Sequence, residues 1–122
     1  MNWKFTGEMP VYQQIVAKVR AAILTGELNP GGKIPSVRDF AAQAQVNPNT
    51  MQRALTELER EGLLISGGTS GRTVTQDRSA LDKAREEALR ELALACAEQF
   101  RIFGLTPGQA AAILEGLEKE EG

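Results

Sequence analysis

Residues 35–62, PSVRDFAAQAQVNPNTMQRALTELEREG, decide how this chain is read. Two short amphipathic helices are expected here, joined by a tight turn. Ser36 and Asp39 make an S-x-x-D start signal. The hydroxyl accepts an orphan backbone N–H, and the carboxylate favours the positive end of the helix. Val37, Phe40, Ala41 and Ala44 then fall on one face. The turn runs through Gln45 and Val46. Asn47-Pro48 is a second start, with Asn as N-cap and Pro at the first helical position. Met51, Ala54, Leu55 and Leu58 form the apolar face of this second helix, and Gly62 ends it. The opposite face carries Asn49, Thr50, Gln52, Arg53 and Thr56. These are short hydrogen-bonding side chains and a guanidinium, the chemistry that reads base edges in a major groove.

Upstream, Trp3–Phe5 is expected as a short strand or an arm. Pro10 opens a helix through Val11, Ile15, Val19, Ala22 and Ile23, with Tyr12 and Val16 widening its face and Gly26 as its C-terminal cap. Asn29-Pro30-Gly31-Gly32 is a loop by composition. Downstream, Leu63–Ile65 and Arg72–Thr75 are expected to form a β-hairpin around the Gly-rich turn 67–71. A polar stretch, Gln76–Ser79, leads to a long helix from about Leu81 to Phe103. Gly104 breaks that helix. Thr106-Pro107-Gly108-Gln109 starts a last one, with Ala110, Ile113, Leu114 and Leu117 on one side.

Composition narrows the function. The 122 residues are 42% hydrophobic but only 5% aromatic, so the core is expected to be aliphatic. No histidine is present, which removes Ser-His-Asp and Cys-His catalysis and every His-based metal site. No acid pair sits in an apolar setting, and no G-x-x-x-x-G-K-[ST] or G-x-G-x-x-G loop occurs. An enzyme, a metal and a cofactor are therefore not expected. The N-terminus lacks an apolar h-region, no run is long enough to span a bilayer, and the single cysteine, Cys96, suits a reducing cytoplasm. Net charge is -2, but it is unevenly distributed. Residues 1–76 hold eight Lys/Arg against six Asp/Glu, and residues 77–122 hold six against ten. Local field matters more than total charge, so the placement of Arg38, Arg53 and Arg72 counts most.

Helix, helix and hairpin in this order make a winged helix-turn-helix. The fold expected is mainly α with a small β-hairpin: a winged helix-turn-helix domain over residues 1–76 and two C-terminal helices over 77–122. Arg38 lies in the first turn of its helix, where a cation opposes the dipole; a phosphate or guanine partner explains it better than a carboxylate. Arg72, near a Gly-rich wing tip, is expected to reach a phosphate or the minor groove. The tail is more apolar than packing on one small domain requires. Leu81, Ala88, Leu89, Leu92, Cys96, Phe100, Phe103, Ile113 and Leu117 are therefore expected to build a homodimer interface, and a two-fold dimer suits palindromic half-sites. A different class stays open, a winged-helix protein-interaction module without DNA binding, which the acidic charge favours.

The run PVYQQI, then NPGGKIPSVRDFAAQAQVNPNTMQRALTELEREGLL and RTV, resembles the DNA-binding domain of the GntR family of bacterial transcriptional regulators across about residues 10–75. The short helical tail resembles that of the YtrA-type subfamily, whose members dimerise through two C-terminal helices. The resemblance implies a repressor that binds an operator in double-stranded DNA. It places DNA contacts on Ser36 and Arg38, on Asn47, Asn49, Thr50, Gln52 and Arg53, and on Gly71 and Arg72 at the wing tip. Three positions depart from the common pattern: Pro48 and Gln52 where many relatives have Arg, and Gln45 where many have Gly. Amide contacts, which suit adenine, are expected to replace some of the usual guanine contacts. The effector, if there is one, is not legible.

Overall fold

A computed structural model describes residues 1–121, the Ser70 side chain excepted. Five helices and one antiparallel hairpin follow in order: α1 (Val11–Thr25), α2 (Val37–Ala44), α3 (Pro48–Arg60), β1 (Leu64–Ser66), β2 (Arg72–Val74), α4 (Arg78–Ile102) and α5 (Pro107–Glu121). Mainly α with a small hairpin is the class the residues predicted.

Each start and stop has a local cause. Gly26 caps α1 at φ 84, a left-handed conformation that costs glycine little. Asp39 N–H donates to Ser36 Oγ at 3.1 Å, and Asn49 N–H donates to Asn47 Oδ1 at 2.7 Å. Asp77 Oδ1 accepts from Ala80 N–H at 3.2 Å, so α4 begins at Arg78, earlier than the start at about Leu81 that the apolar stripe suggested. At α5 the capping box closes both ways: Thr106 N–H to Gln109 Oε1 at 2.9 Å, and Gln109 N–H to Thr106 Oγ1 at 3.2 Å.

The chain divides into two compact units, Met1–Ala84 and Arg85 onward. The division falls inside α4, whereas the polar stretch after Gln76 marked the boundary expected from composition. Leu81 is buried in the core of the first unit and Ala84 packs against it, which ties the opening of α4 to the winged domain.

In the first unit, Ile15, Val19 and Ile23 of α1 meet Phe40, Ala41 and Ala44 of α2 and Met51, Ala54, Leu55 and Leu58 of α3. Burying each of the larger side chains contributes about 1.5–3 kcal/mol, and this fixes which face of α3 turns inward. Leu64 pairs with Val74, Ile65 with Thr73 and Ser66 with Arg72, and the buried Leu64–Val74 pair anchors the wing to α3. One 3-10 turn, Gly68–Ser70, makes the tip.

The expected loop at 29–32 is more ordered than its composition suggests. Gly31 N–H donates to Val74 O at 2.8 Å, Val74 N–H to Gly32 O at 2.9 Å and Ile34 N–H to Arg72 O at 3.1 Å, with a bridge between Lys33 and Thr73. β2 is thus bonded on both sides. Residues 1–9 form an arm rather than a strand. Trp3 packs edge-on against Phe40 with centroids 5.2 Å apart. Gln14, buried on α1, ties the arm down: its Nε2 donates to Thr6 O and Met9 O, both at 2.8 Å, and its Oε1 accepts from Thr6 N–H at 2.9 Å.

In the second unit Gly104, at φ 78, separates α4 from α5. Ala110 is buried, but Leu89, Leu92, Leu94, Ile102, Phe103, Ile113, Leu114 and Leu117 are exposed.

Candidate nucleic-acid interface

The site starts from a helix whose inward face has no choice. Met51, Ala54, Leu55 and Leu58 are fully buried, so a period of 3.6 turns Asn49, Gln52, Arg53 and Thr56 to the outside, and all four are exposed. Thr50 is half-buried beside them. The outer edge is polar without being heavily charged. Gln52 Nε2 donates to Thr56 Oγ1 at 3.3 Å, one turn away. Asn47 is exposed as well, but its Oδ1 is committed to the cap.

Ser36 and Arg38 open α2. Ser36 Oγ is likewise a cap acceptor, with its O–H still able to donate outward. Arg38 is exposed, and no carboxylate among the described residues pairs with it. A cation at the positive end of a helix with no intrachain partner is an unneutralised charge pointed at solvent.

Four of the other arginines of this unit are engaged. Arg20 makes a bidentate pair with Glu61, Nε to Oε1 at 2.9 Å and Nη2 to Oε2 at 2.7 Å, which clamps α1 to the end of α3. Arg60 pairs with Glu57 on its own helix. Arg53 lies over the ring of Tyr12. Arg72 opens β2 with Ser66 across from it, and its guanidinium pairs with Glu59 of α3, leaving the side chain only 17% exposed. Arg72, expected near the wing tip to reach a phosphate or the minor groove, is thus paired with α3 in the absence of DNA. Gly71, at φ 83, follows the tip and is exposed.

Sequence reasoning missed two partners of these residues, Tyr12 for Arg53 and Glu59 for Arg72. The first pair is far apart along the chain, and neither residue type announces the other.

The tail residues expected to share an interface divide. Leu81 belongs to the core of the winged domain. Ala88, Cys96 and Phe100 are half-buried. Leu89, Leu92, Phe103, Ile113 and Leu117 are exposed, Leu92 at 67% and Phe103 at 83%. No helix among the described residues is long and apolar enough to cross a membrane.

The profile of bacterial regulatory proteins of the gntR family matches residues 11–74, which is more than half of the chain and contains α1, the helix pair and the wing. The chain belongs to the GntR family. The HTH-type transcriptional regulator YhcF of Bacillus subtilis, itself described as uncharacterized, is 33% identical over 118 residues, covering 97% of this chain and 95% of that protein. The HTH-type transcriptional repressor YtrA of the same organism is 46% identical over 55 residues, covering 45% of this chain and 42% of that one, and this supports the YtrA-type subfamily. A GntR family regulator from Listeria monocytogenes superposes with a TM-score of 0.86 at 28% identity, covering 92% of this chain and 98% of that one. The DNA-binding domain of AraR, solved in complex with operator ORX1, superposes at 0.55 with 28% identity over 59% of this chain and 93% of its own. This GntR chain is a DNA-binding transcriptional regulator, and its family is one of regulators rather than enzymes.

Proposed function

We propose that the protein is a cytoplasmic repressor that binds a palindromic operator as a homodimer, with α3 in the major groove and the wing on the adjacent backbone or minor groove. The observation that carries this is the exposed polar edge of α3, Asn49, Gln52, Arg53 and Thr56, set on a helix whose other face is locked into the core. Asn49 and Gln52 offer amide pairs suited to adenine, and Arg38 and Arg53 offer forks suited to guanine or phosphate. Asn47, Ser36 and Thr50 lie where backbone phosphates pass a helix start, which is a natural anion site. Gly71 lets the wing tip approach closely. Arg72 reaches the backbone by exchanging Glu59 for a phosphate.

The exposed apolar surface of α4 and α5 supports the homodimer. A soluble chain rarely leaves Leu89, Leu92, Ile102, Phe103, Ile113 and Leu117 uncovered together. A second copy of the same surface is a self-complementary cover, and it sets two recognition helices on two half-sites.

Binding-site selection from random duplexes with the purified chain tests the reading. The expected product is an inverted repeat, its half-sites about 10–10.5 bp apart or a multiple of that, bound with an affinity that falls steeply as salt rises. No enrichment over input DNA would overturn it.

A further inference from the structure

We propose that Tyr12 is a positioning residue for operator recognition: its ring holds the Arg53 guanidinium so that the in-plane donors of Arg53 read a guanine. The guanidinium carbon of Arg53 lies 3.6 Å from the centroid of the Tyr12 ring. Stacking engages the flat face of a guanidinium and leaves its five N–H donors, which lie in the plane, free. Arg20, Arg60 and Arg72 differ in this respect, because each gives in-plane donors to a carboxylate.

The placement fits a reading head. Arg53 follows Asn49 by one turn on the exposed edge of α3, and Val11, Tyr12, Asn49, Thr50 and Arg53 line one shallow depression. Tyr12 sits on α1, and the Arg20–Glu61 pair fastens α1 to the far end of α3. The stack is therefore built between two helices that do not move apart easily. A bidentate contact to guanine O6 and N7 needs the fork in one plane, and a long side chain normally gives up rotamer freedom to reach it. Here the ring has already restricted that freedom. This inference rests on the proposed entry of α3 into the groove.

The test uses the full chain and the selected operator, with each guanine replaced in turn by 7-deazaguanine, which lacks the N7 acceptor. Wild type is expected to lose about tenfold or more in affinity at one guanine. Arg53→Ala should show no penalty at that guanine. Tyr12→Leu should reduce the penalty to about twofold, and Tyr12→Phe, which keeps the ring, should restore it. A second readout needs no DNA: the Arg53 Nε–H resonance should be shifted upfield by the ring in wild type and Tyr12→Phe, and not in Tyr12→Leu. Deaza penalties that Arg53→Ala leaves unaltered, with the operator still bound, overturn the guanine assignment alone. A full penalty in Tyr12→Leu, or an Arg53 resonance indifferent to the ring, overturns the role of Tyr12. A wild-type protein that selects no operator overturns the underlying reading and this inference with it.

Discussion

Gln45 is the one non-glycine residue among the described residues held at positive φ, at 57. It closes α2, its N–H donating to Ala42 O at 3.3 Å, and a left-handed conformation with a Cβ costs about 1–2 kcal/mol. Gln45→Gly is therefore expected to raise stability by about 0.5–1 kcal/mol, less than the full strain because glycine frees the unfolded chain. An upward shift in the thermal midpoint checks this, and an unchanged or lower midpoint refutes it. Arg38 gives a second prediction at this scale. Arg38→Ala should cost about 1–3 kcal/mol in operator binding, measured by fluorescence anisotropy, and should not lower thermal stability, because no carboxylate among the described residues pairs with it. Much at this scale was legible beforehand. The caps at Ser36, Asn47 and Thr106 rest on near neighbours along the chain, so spacing alone reveals them. The partners of Arg53 and Arg72 were not legible, because Tyr12 and Glu59 meet them only after α1, α3 and β2 have packed.

Elements were legible where their apolar period was long. α1, α2 and α3 have the extents the pattern suggested, whereas α4 starts sooner, since Asp77 caps it before any apolar residue appears. The strand-like pairing of residues 31–34 was hidden because Pro and Gly composition reads as loop, and backbone pairing leaves no mark on side-chain alternation. The N-terminal arm was open between strand and coil for a similar reason: what orders it is Gln14, in the next element. Gln14→Ala removes both donors and the acceptor that hold Thr6 and Met9. Backbone groups left without these partners should lower stability by about 1–3 kcal/mol. The Thr6 amide should exchange much faster with deuterium, as expected of a segment that opens locally. An arm that remains protected in this variant would show that Trp3 and Phe5 suffice to hold it.

At the scale of the molecule, an uncovered apolar tail accompanies a polar reading edge. Leu92 is 67% exposed on α4. In the proposed two-fold interface, Leu92→Asp would bury an unpaired carboxylate, a cost large enough to separate the copies. Sedimentation should then report a monomer with intact helical content. Operator affinity should fall by about 10²–10⁴-fold, because two linked half-site contacts become independent ones. A variant that sediments as the wild type does would place the interface elsewhere. The pairing of residues 31–34 with β2 has a final consequence for how such a protein diversifies. Those bonds make the wing and the approach to α2 a single splint, so the spacing between Arg38 and the wing is set by the backbone. Extra residues at the wing tip, 67–70, would hang outward and leave that spacing intact. The same number inserted at 29–32 would slide one side of the splint past the other and shift the grip on the duplex. Length variation among operator-compatible relatives is accordingly expected at the tip and not at 29–32.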